Sequence, residues 1–142
     1  MAVDRVVIDS GFLLESILPT RREQKHAADQ LIEAMADRRT TGVVPYLFFH
    51  ELAAVCARKQ RARQVAADDV AMFLEAIDAC GFTLDLTILS PSDLYRQALK
   101  LGCQVSDAVF VALAKANGIP LATVDGGMKT AARAAGVELW KG

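Results

Sequence analysis

Four acids in this chain stand where apolar runs end or helical runs begin. Asp9 closes "RVVID", Glu51 lies inside "GVVPYLFFHELAAV", Asp107 opens "DAVFVALAKANG", and Asp125 follows "IPLAT" by one residue, with Thr123 two positions before it. In an open α/β sheet, ligands bind beyond the carboxyl ends of the strands, above all where the strand order reverses. Acids at such ends are therefore the first place to look for chemistry. Carboxylates gathered at one sheet edge repel one another, and at neutral pH they persist through proton uptake or a bound cation. A set of oxygen ligands without Cys or His selects a hard ion, Mg²⁺ or Mn²⁺ rather than Zn²⁺. Such an ion lowers the pKa of a coordinated water, orients it for in-line attack on a phosphodiester, and neutralises charge that develops on the oxygens.

Each acid also has a local reading. Asp9 can accept backbone hydrogen bonds at the start of the next helix, Ser106 or Asp107 can serve as an N-cap, and Asp125 before Gly126 and Gly127 is an ordinary turn acid. Glu51 resists this treatment, because it lies beside a stripe of Phe48, Leu52 and Val55 that would partly strip water from its charge. Thr123 reads equally as a strand residue and as a hydroxyl that positions water.

The elements that must carry these residues follow from periodicity. Short aliphatic runs at Val6 to Ile8, Gly42 to Val44, Thr83 to Leu86, Ile119 to Thr123 and Val137 to Leu139 predict about five strands. Amphipathic stretches separate them: "QKHAADQLIEAMADR", "YLFFHELAAVCARK" and "ADDVAMFLEAIDACG", the last stopping on Gly81. Further helices are expected over "SPSDLYRQALKLG", with Pro91 in the first turn after Ser90, over "SDAVFVALAKANG", which ends on Asn117 and Gly118, and over "GMKTAARAAG". Strands alternating with helices, without hairpin signals, predict an α/β domain around a parallel sheet buried on both faces.

Composition narrows the function. At 142 residues the chain suits one domain over 1–142, and 53% hydrophobic residues place it far from the disordered class. Sixteen Lys and Arg against 17 Asp and Glu exclude a globally basic binder of nucleic acid. A local basic run, Arg58, Lys59, Arg61 and Arg63, suits the C-terminal dipole of a helix, with RNA phosphate as the alternative partner. Cys56, Cys80 and Cys103 lack the paired spacing of a zinc or redox motif and read as small buried hydrophobes in a reducing compartment. Two histidines, His26 and His50, are too few for a histidine-rich metal site. "MAVDRVVID" lacks the form of a signal peptide, and no apolar run reaches the roughly 20 residues of a membrane span, so a cytoplasmic protein is expected. Trp140 has no flanking aromatics and is expected at an edge contact rather than as a base-stacking platform.

In order and approximate spacing, "VVIDSGFLLESILP", "GVVPYLFFHELAAV", "VSDAVFVALAKANGIPLATVDGGM" and "AARAAGVEL" resemble the PIN-domain ribonucleases, most closely the VapC-type toxins of prokaryotic toxin–antitoxin pairs. The resemblance implies a three-layer α/β/α fold with a central parallel sheet. It implies that Asp9, Glu51, Asp107 and Asp125 form an acidic quartet binding Mg²⁺ or Mn²⁺, with Thr123 as the accompanying hydroxyl. The implied activity is metal-dependent endonucleolytic cleavage of RNA, leaving 5′-phosphate and 3′-hydroxyl ends. A cognate antitoxin and a homodimer are the implied partners. Gly11, Ala54 and Ser106 depart from the family pattern, which commonly has Ser or Asn, Asn, and an aromatic residue at those places. These departures leave a second reading open, a catalytically weakened PIN-like module that binds RNA or protein. A receiver or haloacid-dehalogenase-like phosphatase fits less well, since Gly11 stands where the phosphatase needs its second acid and Asp125 where the receiver needs Lys.

Overall fold

Consecutive apolar residues form the strands, as a sheet covered on both sides requires. The computed structural model describes residues 3–87 and 89–142. Its first strand, β1 (Asp4–Ile8), buries Val6, Val7 and Ile8 in succession, so neither face of the strand meets water. It pairs in parallel with β2 (Thr40–Pro45) on one side, Val7 opposite Val43, and with β4 (Leu121–Ala122) on the other, Ile8 opposite Ala122. The short β3 (Thr83–Asp85) extends the sheet beyond β2, giving the order β3-β2-β1-β4. The chain thus steps outward from β1 through β2 to β3 and then returns to the far side of β1. The reversal of strand order lies between β1 and β4.

Among the described residues seven helices cover this sheet in two layers, the α/β/α arrangement expected. On one side α1 (Ser10–Leu14), α2 (Arg22–Ala36), α3 (Tyr46–Arg61) and α4 (Ala67–Asp78) pack on one another, and on the other side α5 (Pro91–Leu101), α6 (Val105–Asn117) and α7 (Gly126–Ala134) do so. α6 lies across β1, β2 and β4, so its first turn is carried to the sheet edge where the order reverses. Ser90 caps α5 by accepting from the Asp93 amide, with Pro91 at the first helical position. α6 ends on Gly118 with φ 63°, a left-handed turn that glycine adopts at little cost. Phe48 and Phe110 are fully enclosed, and Phe49 and Phe82 pack on Phe48 at centroid separations of 5.6 and 4.9 Å. Arg58, Lys59 and Arg61 occupy the last turn of α3, where cations oppose the negative end of the helix dipole.

Among the described residues four strands form, close to the five expected. The stretch Val137 to Leu139 reaches β4 through two backbone hydrogen bonds, Leu121 N to Glu138 O and Trp140 N to Leu121 O, each 2.9 Å, and contributes one isolated bridge, Leu121 to Leu139. β4 has only two residues to pair with it, because Pro120 has no N–H to donate and Thr123 already turns toward the next helix. Trp140 is the edge contact expected, edge-on to Phe12 at 5.6 Å. Among the described residues no helix is long and apolar enough to cross a membrane.

Gly42 marks a close approach between sheet and helices. A Cβ there would stand 2.8 Å from Ile8 Cδ1, 2.8 Å from Phe82 Cδ1 and 2.9 Å from Met35 Sδ, so three core side chains would have to shift together. Gly42→Ala is expected to lower stability by about 1–3 kcal/mol, the usual cost of overpacking, as read from urea unfolding. An unchanged midpoint would show that the three neighbours yield freely.

Candidate active site

Asp9 is placed by main-chain pairing. Its amide donates to Ala122 O at 3.0 Å, which continues the β1–β4 pairing by one residue, and its side chain turns inward with the residue only 8% exposed. It holds the N-cap position of α1 without making a capping hydrogen bond, so helix capping does not explain it. Its partner comes instead from the neighbouring strand end: Thr123 Oγ1 donates to Asp9 Oδ2 at 3.0 Å. The Asp125 amide donates to that same Thr123 oxygen at 3.1 Å, which directs the single hydroxyl proton at Asp9. Thr123 is therefore a polar bridge between strand ends, its hydroxyl donating to Asp9 and accepting from the Asp125 amide.

Asp125 is exposed and does cap a helix, its Oδ1 accepting from the Met128 amide at 2.7 Å at the start of α7. Asp107 does not: the N-cap of α6 is Gln104, and Asp107 lies inside the first turn. Among the described residues its carboxylate accepts no hydrogen bond. Glu51 lies in the second turn of α3, half-buried, with Oε1 accepting from Ser10 Oγ at 3.2 Å.

Charge links these groups. Burial pushes the Asp9 carboxyl up to about 6; the Thr123 hydrogen bond opposes this, while the Glu51 and Asp107 carboxylates add to it. Glu51 is raised by burial and by Asp107, against the Ser10 hydrogen bond and the nearby His50. Asp107 is raised by burial and then by Asp125. The fold thus brings all four acids to one sheet edge. Among the described residues they are not packed on a single point, since no three Asp, Glu, His or Cys side chains stand close enough together to hold an ion. None of the four is salt-bridged to Lys or Arg there; the ion pairs found are Lys25–Asp29, Arg39–Asp37 and Arg96–Asp93, all at the surface. Oxygen donors without a Lys or Arg salt bridge suit a hard divalent cation, which would have to draw the carboxylates inward.

The chain matches the PIN domain family over residues 6–134. It belongs to the PIN domain family. PIN domains are nuclease-type folds, generally metal-dependent. The fold is similar to the crystal structure of PAE2754 from Pyrobaculum aerophilum, with a TM-score of 0.66 and 19% identity over 92% of this chain and 81% of that one. No curated protein matches the chain in sequence.

Within this PIN domain, Gly11 leaves the first turn of α1 without a second polar side chain, and a Cβ there would touch Asp9 Oδ2 at 3.5 Å. Ala54 is exposed one turn beyond Glu51, and Ser106 is half-buried beside Asp107. Cys103 differs from the buried apolar role read for all three cysteines. Cys56 and Cys80 are buried, but Cys103 is half-buried in the turn between α5 and α6, its thiol raised by burial and by the Asp107 and Asp125 carboxylates. Only its separation from Asp107 by one helical turn could have hinted at this.

The Asp9 shift has a measurable sign. A carboxyl that titrates near 6 when folded and at its ordinary 3.8 when unfolded holds its proton better in the folded state. Its favourable contribution is complete below pH 4 and is lost as pH rises through 6, about 3 kcal/mol in all. In EDTA, the stability of Asp9→Asn relative to wild type should therefore climb by about that amount between pH 4 and 7 in urea titrations. A difference that stays flat with pH would place the Asp9 carboxyl in a water-like setting.

Proposed function

We propose that this chain is a Mg²⁺- or Mn²⁺-dependent endoribonuclease acting as the toxin of a toxin–antitoxin pair in the cytoplasm. The observation that carries this reading is the placement of Asp9, Glu51, Asp107 and Asp125 at the switch point between β1 and β4 with, among the described residues, no salt bridge to Lys or Arg. These four residues would hold the ion, which when bound acidifies a water and offsets charge on the phosphate. The chain's own groups divide the remaining work. Thr123 fixes Asp9 Oδ2 and so limits the rotation of the Asp9 carboxylate. Asp107, the acid with no hydrogen bond among the described residues, is free to orient a water or take its proton. The two histidines form no acid–base pair, which disfavours the route through the RNA 2′-hydroxyl.

A weakened binding module is the second reading, and it draws on the acids standing apart and on Gly11 and Ala54. The two readings separate in one assay. Purified protein with structured RNA should cut only when Mg²⁺ or Mn²⁺ is supplied, and Asp107→Asn should lower kcat/KM by about a hundredfold or more with an unchanged circular dichroism spectrum. RNA binding without cleavage in either metal supports the module, and full activity in EDTA rejects the metal.

The cognate antitoxin is a partner proposed from the resemblance alone. The homodimer has support in the fold. α5 buries no residue completely, and Tyr95 and Leu99, four positions apart, are 63% and 66% exposed on its outer face. In an antiparallel pair of α5 helices about a two-fold axis, each Tyr95 meets the partner's Leu99, which is the self-complementarity an isologous contact needs. Val105, 46% exposed just after this helix, would extend the patch toward the roughly 800 Å² per subunit of a standard interface. Light scattering should report a dimer that Tyr95→Lys with Leu99→Lys converts to a folded monomer. A dimer that survives both changes puts the interface elsewhere.

A further inference from the structure

Glu51 is the acid least constrained by its own element, a long side chain with three free torsions projecting from the middle of a helix. Repulsion from Asp107 acts on it, and its own charge raises Asp9. With nothing to hold it, the carboxylate would swing along α3 toward water. The hydroxyl of Ser10 meets it at 3.2 Å across 41 positions of sequence. Among the described residues this is the only side-chain hydrogen bond that either group makes. Ser10 is 6% exposed and begins α1, so no earlier turn of its own helix offers a carbonyl for its proton. The other residues of α1, Gly11, Phe12, Leu13 and Leu14, carry no polar side chain, leaving Ser10 as the one hydroxyl of that helix at the sheet edge.

We propose that Ser10 is a positioning residue that holds the Glu51 carboxylate at the mouth of the acidic cluster before any cation arrives. The proposal rests on the nuclease reading for its purpose, and it supplies from Ser10 the polar contact that Gly11 cannot. Ser10 donates through Oγ to Oε1 and leaves Oε2 for a ligand. It touches neither substrate nor ion.

A double-mutant cycle on the full chain decides it, with Ser10→Ala, Glu51→Ala and the pair, read by Mn²⁺ titration followed by electron paramagnetic resonance. Ser10→Ala should raise the Mn²⁺ Kd roughly tenfold, the lower end of what loss of an outer contact costs a metal site, and should have no further effect in the Glu51→Ala background. An equal loss in both backgrounds overturns the proposal. The same four proteins unfolded by urea in EDTA provide a readout without metal, where the shifts of the two single changes should fail to add. If wild type binds no Mn²⁺, the nuclease reading fails while the EDTA cycle still decides the coupling: non-additive shifts uphold Ser10 as the holder of Glu51, and additive shifts overturn it.

Discussion

Burying Asp9 between two strand ends is unfavourable, and much of the surrounding structure bears on that one cost. Desolvation is the largest influence on its carboxyl, and the neutral hydrogen bonds from the Thr123 hydroxyl and the Gly11 amide do not cancel it. A fold selected only for stability would place Lys or Arg nearby, or an apolar residue in its stead. This one brings Glu51 and Asp107 into range, which makes the burial worse. Groups arranged against stability in this way mark functional sites more often than structural ones. The sheet makes the arrangement possible, because the reversal between β1 and β4 opens a gap at which neighbouring strand ends turn to opposite layers.

Much of this could be read before any coordinates, and the failures have physical causes. Runs such as Val6 to Ile8 identify buried strands because consecutive apolar residues suit a sheet covered on both sides. Strand order is another matter. Nothing local in "IPLAT" says that it returns beside β1 rather than beyond β3; that depends on α6 crossing the sheet. The capping roles also stayed open. Asp125 does cap α7, as its place before two glycines suggests, whereas α6 starts at Val105 behind Gln104, with no side-chain cap, and so releases Asp107 from that duty. Val137 to Leu139, a strand by pattern, meets the two-residue β4 only through an isolated bridge, because β4 is too short for a longer ladder.

Cys103 shows a different limit. It lies near the acids because separate elements meet there, in the turn before α6. A small residue carries little signal of what stands opposite it. Glu51 carried more, because a charged side chain beside Phe48 and Leu52 has to be accounted for, and its half-burial beside Ser10 is that account.

The anchoring of the acids follows a common pattern. Asp9 is held through Oδ2 by Thr123, Glu51 through Oε1 by Ser10, and Asp125 through Oδ1 by the Met128 amide. Three carboxylates are thus oriented by one oxygen while the other oxygen remains available. Asp107 is held by its place on the helix alone. Carboxylates fixed at both oxygens could not approach a ligand, and carboxylates fixed at neither would lose too much rotational freedom on binding one. Their separation within the fold then has a plain cause: like charges without a counterion stay apart, and the anchors limit how far apart they go.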